Sequence, residues 1–133
     1  MSIDSIGNFL TIIRNGIMAS KPFVIAPHSK MSVELMRILK EEGFIKNFEV
    51  DLTDPVIKKI KVVLKYVQGE SVIHKIVRVS TPGRRVYSKV KNVKPVVGGF
   101  GISILSTNRG LMTDKQAKEP QLGLGGEVIC KVW

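Results

Sequence analysis

The sequence predicts an α+β protein of two small packed domains. The N-terminal one, residues 1–67, reads α-β-α-β-β, and the C-terminal one, residues 68–133, is mostly β with one short helix. Three observations carry this prediction. Apolar residues recur at helical steps twice within the first 42 residues and at strand steps thereafter. Beyond residue 70, short apolar runs are punctuated by turn formers such as Thr81-Pro82-Gly83. A length of 133 residues suits one domain, or two small ones sharing an interface.

Residues 4–19 are predicted helical, because Ile6, Phe9, Leu10, Ile13 and Ile17 make one apolar stripe. Asp4 or Ser5 can accept from the amides of the first turn. Arg14, Asn15 and Gly16 fall late in this helix. Pro22 closes the segment, and residues 23–26 read as a short strand. After the turn at Pro27-His28-Ser29 a second helix runs to about Glu42. Ser29 or Ser32 caps it, Met31, Leu35, Ile38 and Leu39 form its buried side, and Gly43 is its left-handed stop. Residues 44–50 alternate, with Phe44, Phe48 and Val50 on one face. After Asp54-Pro55 the alternation is cleaner, with Ile60, Val62, Leu64 and Tyr66 opposite Lys59, Lys61 and Lys65. This half is therefore a sheet with two helices on one face.

Gln68-Gly69-Glu70 is expected to join the halves. Residues 71–80 read as a strand, 81–83 as a turn, and 84–87 as a short strand. Residues 96–105 form a further strand interrupted by Gly98, Gly99 and Gly101, ending in the turn Ser106-Thr107-Asn108-Arg109-Gly110. Thr113-Asp114-Lys115-Gln116 is a capping box opening a short helix that Pro120 stops. Residues 123–126 read as a loop and 127–133 as the closing strand.

Charge is the most informative part of the composition. Twenty-one Lys and Arg against eleven Asp and Glu give +10. Residues 55–113 hold twelve of the basic residues and one acid, Glu70, so the excess is concentrated there. Solubility does not require such segregation, and a field of this strength on one part of a small protein favours a polyanionic partner. No apolar run reaches the roughly 20 residues of a spanning helix. Met1-Ser2-Ile3-Asp4 lacks a basic leader, so no targeting peptide, no membrane association and a cytoplasmic location are expected. A single cysteine, Cys130, forms no internal disulfide, and no metal-ligand spacing is present.

Enzymatic readings find little support. His74 falls in a predicted strand and His28 in a turn, neither beside a serine or cysteine in a nucleophile pattern. Gly98-Gly99-Phe100-Gly101 and Gly123-Leu124-Gly125-Gly126 lead into strands rather than helices, unlike phosphate-cradling loops. No catalytic residue and no cofactor are expected. Ser106-Thr107-Asn108-Arg109-Gly110 stands out instead. Small hydroxyl and amide side chains on a tight turn suit the shallow minor groove of RNA, although the same residue types are ordinary turn formers.

The chain resembles the bacterial-type ribosomal small-subunit protein eight family along nearly its whole length. The resemblance rests on residues 11–16 (Thr-Ile-Ile-Arg-Asn-Gly), 39–45 (Leu-Lys-Glu-Glu-Gly-Phe-Ile) and 79–87 (Val-Ser-Thr-Pro-Gly-Arg-Arg-Val-Tyr). Residues 101–107, 110–114 and 123–130 carry it further. It implies a two-domain, non-enzymatic protein of the cytoplasmic ribosome. Such a protein binds the central domain of small-subunit ribosomal RNA, assists its folding, and sits among neighbouring small-subunit proteins. In some bacteria the same surface also grips the messenger of its own operon, which makes a translational regulator the alternative reading. Carried over by position, the RNA-binding residues are Ser106, Thr107 and Asn108, with the aromatic Tyr87 and the carboxylate Glu127 behind the loop. Ser29, Lys30, Arg14 and Asn15 follow in the N-terminal domain, and Arg84, Arg85 and Gly125 lie within the matched C-terminal segments. Asn108 departs from the family's usual serine, and Asp4-Ser5-Ile6-Gly7 from its usual start. A carboxylate repels phosphate, so Glu127 is expected to order the loop amides or to accept from a base amino group. Otherwise it is a strand-edge surface charge.

Overall fold

Ser5–Met18 forms helix α1 in the computed structural model, which describes residues 5–89, 96, 100–117 and 125–133. Two compact units divide the chain, Ser5–His74 and Lys75–Trp133. In the first, α1 buries Phe9, Leu10, Ile13 and Gly16. A β-carbon at Gly16 would overlap the Val24 side chain, so this glycine sets how closely α1 approaches the strand β1, Phe23–Pro27. Asp4, expected among the first-turn acceptors, lies outside the described residues.

Helix α2, Lys30–Glu41, is capped by Ser29, whose Oγ accepts from the Ser32 amide at 3.0 Å. Leu35, Met36, Ile38 and Leu39 are buried. The helix ends as predicted at Gly43, with φ +81°, a region that glycine enters without strain. Strands β2, Ile45–Asp51, and β3, Lys59–Leu64, complete an antiparallel sheet of order β1-β3-β2. Register puts Val24, Val62 and Phe48 in one row and Ala26, Ile60 and Val50 in the next. A bulge between Ile45 and Asn47 shifts the phase, so that Phe44 and Ile45 are both buried. On the other face Lys61 Nζ lies 4.5 Å from the centroid of the Phe23 ring. Tyr66–Val67 (β4) and Glu70–Ser71 (β5) form a small hairpin. Gln68 and Gly69, expected at the joint between halves, are its turn, both at positive φ.

The second unit is built on one long strand. Ile76–Arg78 (β6), Tyr87–Lys89 (β7) and Ile102–Thr107 (β8) all pair antiparallel with β10, Gly125–Val132, and Gly110–Thr113 (β9) pairs with β8. Ile102, Ile104, Cys130 and Val132 are fully buried within this unit. Helix α3, Asp114–Ala117, opens on the predicted capping box. The Thr113 amide donates to Gln116 Oε1, and the Gln116 amide to Thr113 Oγ1, both at 3.1 Å.

Several expected boundaries shift. The predicted strand 71–80 is interrupted: residues 72–75 are irregular, and His74 is exposed outside any strand. Residues 84–86 are not strand. Thr81 and Arg84 exchange backbone hydrogen bonds of 3.0 and 3.1 Å around Pro82-Gly83, and the strand begins at Tyr87. Gly125 and Gly126, expected in a loop, belong to β10: they pair with Lys89 and Ser88 of β7, and the bare backbone of Gly126 also fits closely against Ser106 of β8. Strand β9 was not expected; four residues, the first of them a glycine, carry too little periodicity to announce it. The interrupting Gly98 and Gly99, and Pro120, lie outside the described residues.

Candidate nucleic-acid interface

Strand register gathers three candidates that lie far apart in sequence. Glu127 on β10 is directly opposite Tyr87 on β7 and opposite Ser106 on β8. Directly opposed residues of adjacent strands project to the same face, so Tyr87, Glu127 and Ser106 form one row across three strands. Tyr87 is 72% exposed, an aromatic ring left to solvent at one end of the row. At the other end, β8 runs into the tight turn Asn108-Arg109 between the paired residues Thr107 and Gly110. Both Asn108 and Arg109 are exposed.

The Thr107 hydroxyl is already committed within this turn. It donates to the Gly110 carbonyl at 2.9 Å and accepts from the Arg109 amide at 3.1 Å. Thr107 therefore shapes the turn, and the exposed groups are Asn108 and Arg109, with Ser106 half-buried beside them. Arg109 was quoted in the turn motif but not singled out as a candidate; its placement at the turn tip is what brings it in. Gly125 begins β10 opposite Lys89. The Gly126 backbone lies against Ser106 so closely that a β-carbon would overlap the Ser106 carbonyl oxygen.

Glu127 differs from expectation. Its carboxylate does not order the turn amides and is not on a strand edge, since β7 and β8 flank it. Instead, Ser80 Oγ donates to Oε2 at 2.7 Å and Arg85 Nη1 donates to the same oxygen at 3.0 Å. The Glu127 side chain is only 14% exposed, against 47% for Arg85. A shielded carboxylate without a partner would be costly, and here a cation and a hydroxyl compensate it. Ser80 itself is fully buried, and its Oγ also accepts from the Val86 amide at 3.1 Å. Sequence reasoning missed Ser80 and Gly126. Both lie in quoted motifs, but nothing local marks a serine or a glycine as reaching across the fold.

The local charge is positive. Arg84, Arg85, Lys89 and Arg109 are all exposed in this unit, and Lys and Arg are the usual phosphate partners of RNA-binding surfaces. Arg84, on the turn beside Arg85, has no ion pair among the described residues, so its charge is available to a phosphate. In the first unit, Lys30 is exposed at the start of α2, and the Ser29 hydroxyl is occupied as the cap, 2.7 Å from Ser32 Oγ. Arg14 is half-buried and Asn15 exposed, late in α1. Cys130 offers no nucleophile: burial pushes its thiol up to about 12, beyond the range where thiolate forms at neutral pH. Among the described residues no group of three or more His, Cys, Asp or Glu could hold a metal ion, and no helix is long and apolar enough to cross a membrane.

This arrangement of a basic turn, an aromatic ring and small polar side chains coincides with a sequence match over nearly the whole chain. The family model described as "Ribosomal protein S8" matches residues 4–133. The chain belongs to the ribosomal protein S8 family. Among its relatives, the small ribosomal subunit protein uS8 of Buchnera aphidicola subsp. Schizaphis graminum is 48% identical over 129 residues, 97% of this chain and 96% of the relative. Those of Rhodospirillum centenum and Paramagnetospirillum magneticum are each 44% identical over 130 residues, covering 98% of this chain and 97% of the relative. The S8 match spans both units, and the Tyr87–Glu127–Ser106 row lies within it.

Proposed function

We propose that this chain is a structural component of the small ribosomal subunit, working in the cytoplasm, that binds small-subunit ribosomal RNA directly and catalyses no reaction. The observation that carries this reading is the near full-length match, at 44% and 48% identity, to small ribosomal subunit proteins. The charge distribution agrees, because a +10 chain with its excess concentrated in residues 55–113 suits a phosphate backbone.

The Lys75–Trp133 unit supplies the main RNA surface in this reading. Arg84 and Arg109 neutralise phosphates, the Tyr87 ring stacks, and Ser106 and Asn108 meet 2′-hydroxyls and base edges in the minor groove. Lys30 adds a phosphate contact from α2, with Ser29 shaping that helix start, and Arg14 and Asn15 lie on α1. The RNA partner is a folded helix of the central domain, whose folding the protein assists while neighbouring small-subunit proteins join. Ultraviolet crosslinking in cells, followed by sequencing of the attached RNA, tests this. Small-subunit ribosomal RNA joined to peptides containing Tyr87 or residues 106–109 is the expected result. Recovery of messenger or DNA without ribosomal RNA would overturn it and leave the regulator reading, in which the chain grips its own operon messenger.

A further inference from the structure

The buried side of the arginine turn carries an inference that rests on the RNA-binding reading above. We propose that Ser80 is a positioning residue. Through its hydrogen bonds to Glu127 and Val86 it fixes the arginine turn and Tyr87 relative to the Ser106–Arg109 turn, and so makes the surface selective for a folded RNA helix over a flexible single strand.

Ser80 and Val86 are the two residues at which the turn leaves and rejoins the sheet. The Val86 amide donates to Ser80 Oγ at 3.1 Å, closing the span, and within it Thr81 and Arg84 pair through their backbones. The Val86 carbonyl accepts from the Val128 amide at 2.9 Å, which ties the returning chain to β10. The one proton of the Ser80 hydroxyl goes to Glu127 Oε2 at 2.7 Å, so this side chain closes the turn by accepting from Val86 and joins it to β10 by donating to Glu127. Glu127 is also the residue opposite Tyr87 and Ser106. One fully buried hydroxyl thus connects the arginine turn to the row that ends at the Asn108-Arg109 turn.

Arg85 and Arg84 take different parts in this arrangement. Arg85 Nη1 lies 3.0 Å from Glu127 Oε2, so its charge is spent within the protein, and it braces the turn. Arg84 faces outward. Removing the Ser80 hydroxyl strands the Val86 amide and leaves Arg85, among the described residues, as the remaining side-chain donor to Glu127, yet it removes no positive charge. The number of neutralised phosphates therefore stays the same, while the spacing of phosphate and groove contacts loosens. A rigid RNA helix senses that spacing, and a flexible strand adapts to it.

The experiment measures affinities of the full chain for a transcript of the small-subunit ribosomal RNA central domain and for poly(U), at two salt concentrations, with thermal melts. The variants are Ser80→Ala, Ser80→Cys, Glu127→Gln, Ser80→Ala with Glu127→Gln, and Arg84→Gln. Cysteine fills nearly the serine volume but hydrogen-bonds weakly, so it decides the matter if the alanine variant does not fold. Ser80→Ala and Ser80→Cys are expected to bind the transcript about tenfold more weakly, with poly(U) affinity and salt slope unchanged. The double variant should bind no more weakly than Glu127→Gln, because both changes break one linkage. Arg84→Gln should instead weaken both RNAs and flatten the salt slope by about one. Full transcript affinity in both folded Ser80 variants, equal losses on the two RNAs, or additive losses in the double variant would overturn the proposal alone. Wild-type protein that binds the transcript no better than poly(U) would overturn the RNA-helix reading with it.

Discussion

Gly126 lies against the Ser106 carbonyl oxygen at a separation that leaves no room for a β-carbon. The contact sits one residue before Glu127, whose register partner on β8 is Ser106. The obstacle is backbone rather than a flexible side-chain end, so the two strands would have to part before any larger residue fitted.

Gly126→Ala is accordingly expected to destabilise the protein by about 1–3 kcal/mol, the usual range for overpacking. It should also weaken RNA binding, because the Asn108-Arg109 turn is the continuation of the displaced strand. Thermal melts and RNA titrations check this. An unchanged melt would show that β8 yields freely.

Thr107→Val keeps the side-chain shape and removes a hydroxyl that donates to Gly110 and accepts from Arg109. Loss of these turn bonds should cost on the order of 1–2 kcal/mol. RNA affinity is expected to fall with it, through a misplaced Asn108 and Arg109. Thr107→Ser retains the hydroxyl and should retain affinity. A loss for serine as large as for valine would mean that the methyl group, not the hydroxyl, is what matters.

RNA binding should weaken steeply with salt. If about six phosphates are neutralised, log K against log salt concentration falls with a slope of roughly −4 to −5. A slope near zero, measured by titration between low and moderate salt, would remove the polyanion as partner.

Acid should loosen the segment after β2. The Thr53 hydroxyl and amide hold the Asp51 carboxyl below its ordinary value of 3.8, and the Val56 and Ile57 amides do the same for Asp54. A depressed folded value means that the contribution is present above the unfolded value and is lost as pH falls through the folded one. Chemical shifts of the Thr53 amide, reporting Asp51, and of the Val56 and Ile57 amides, reporting Asp54, should therefore titrate with midpoints below pH 3.8. Midpoints at or above that value would exclude these bonds in solution.

The first unit was legible because its signals are local. The Ser29 cap, the Gly43 stop and the alternation of Ile60, Val62 and Leu64 each depend on neighbours within a few residues, and each stands where periodicity put it. The row of Tyr87, Glu127 and Ser106 was different. Its members could be picked out by resemblance, but pairing across 40 residues between Tyr87 and Glu127 leaves no periodic trace. The intramolecular partners of Glu127 were illegible for the same reason, since its donor Ser80 is 47 residues away. Thr107 was read as an outward hydroxyl because a sequence does not show which bonds a turn has already taken.

Strand order in the second unit also bears on when it can assemble. Among the described residues β10 is synthesised last, yet β6, β7 and β8 all take their pairing from it. Until β10 is made, β6 and β7 lack the strand that pairs with them. The Ser80–Glu127 bond and the tyrosine row are then absent altogether. Recognition by this unit is thus withheld from the nascent chain, and a polypeptide interrupted before β10 would carry the basic residues of the surface without its geometry.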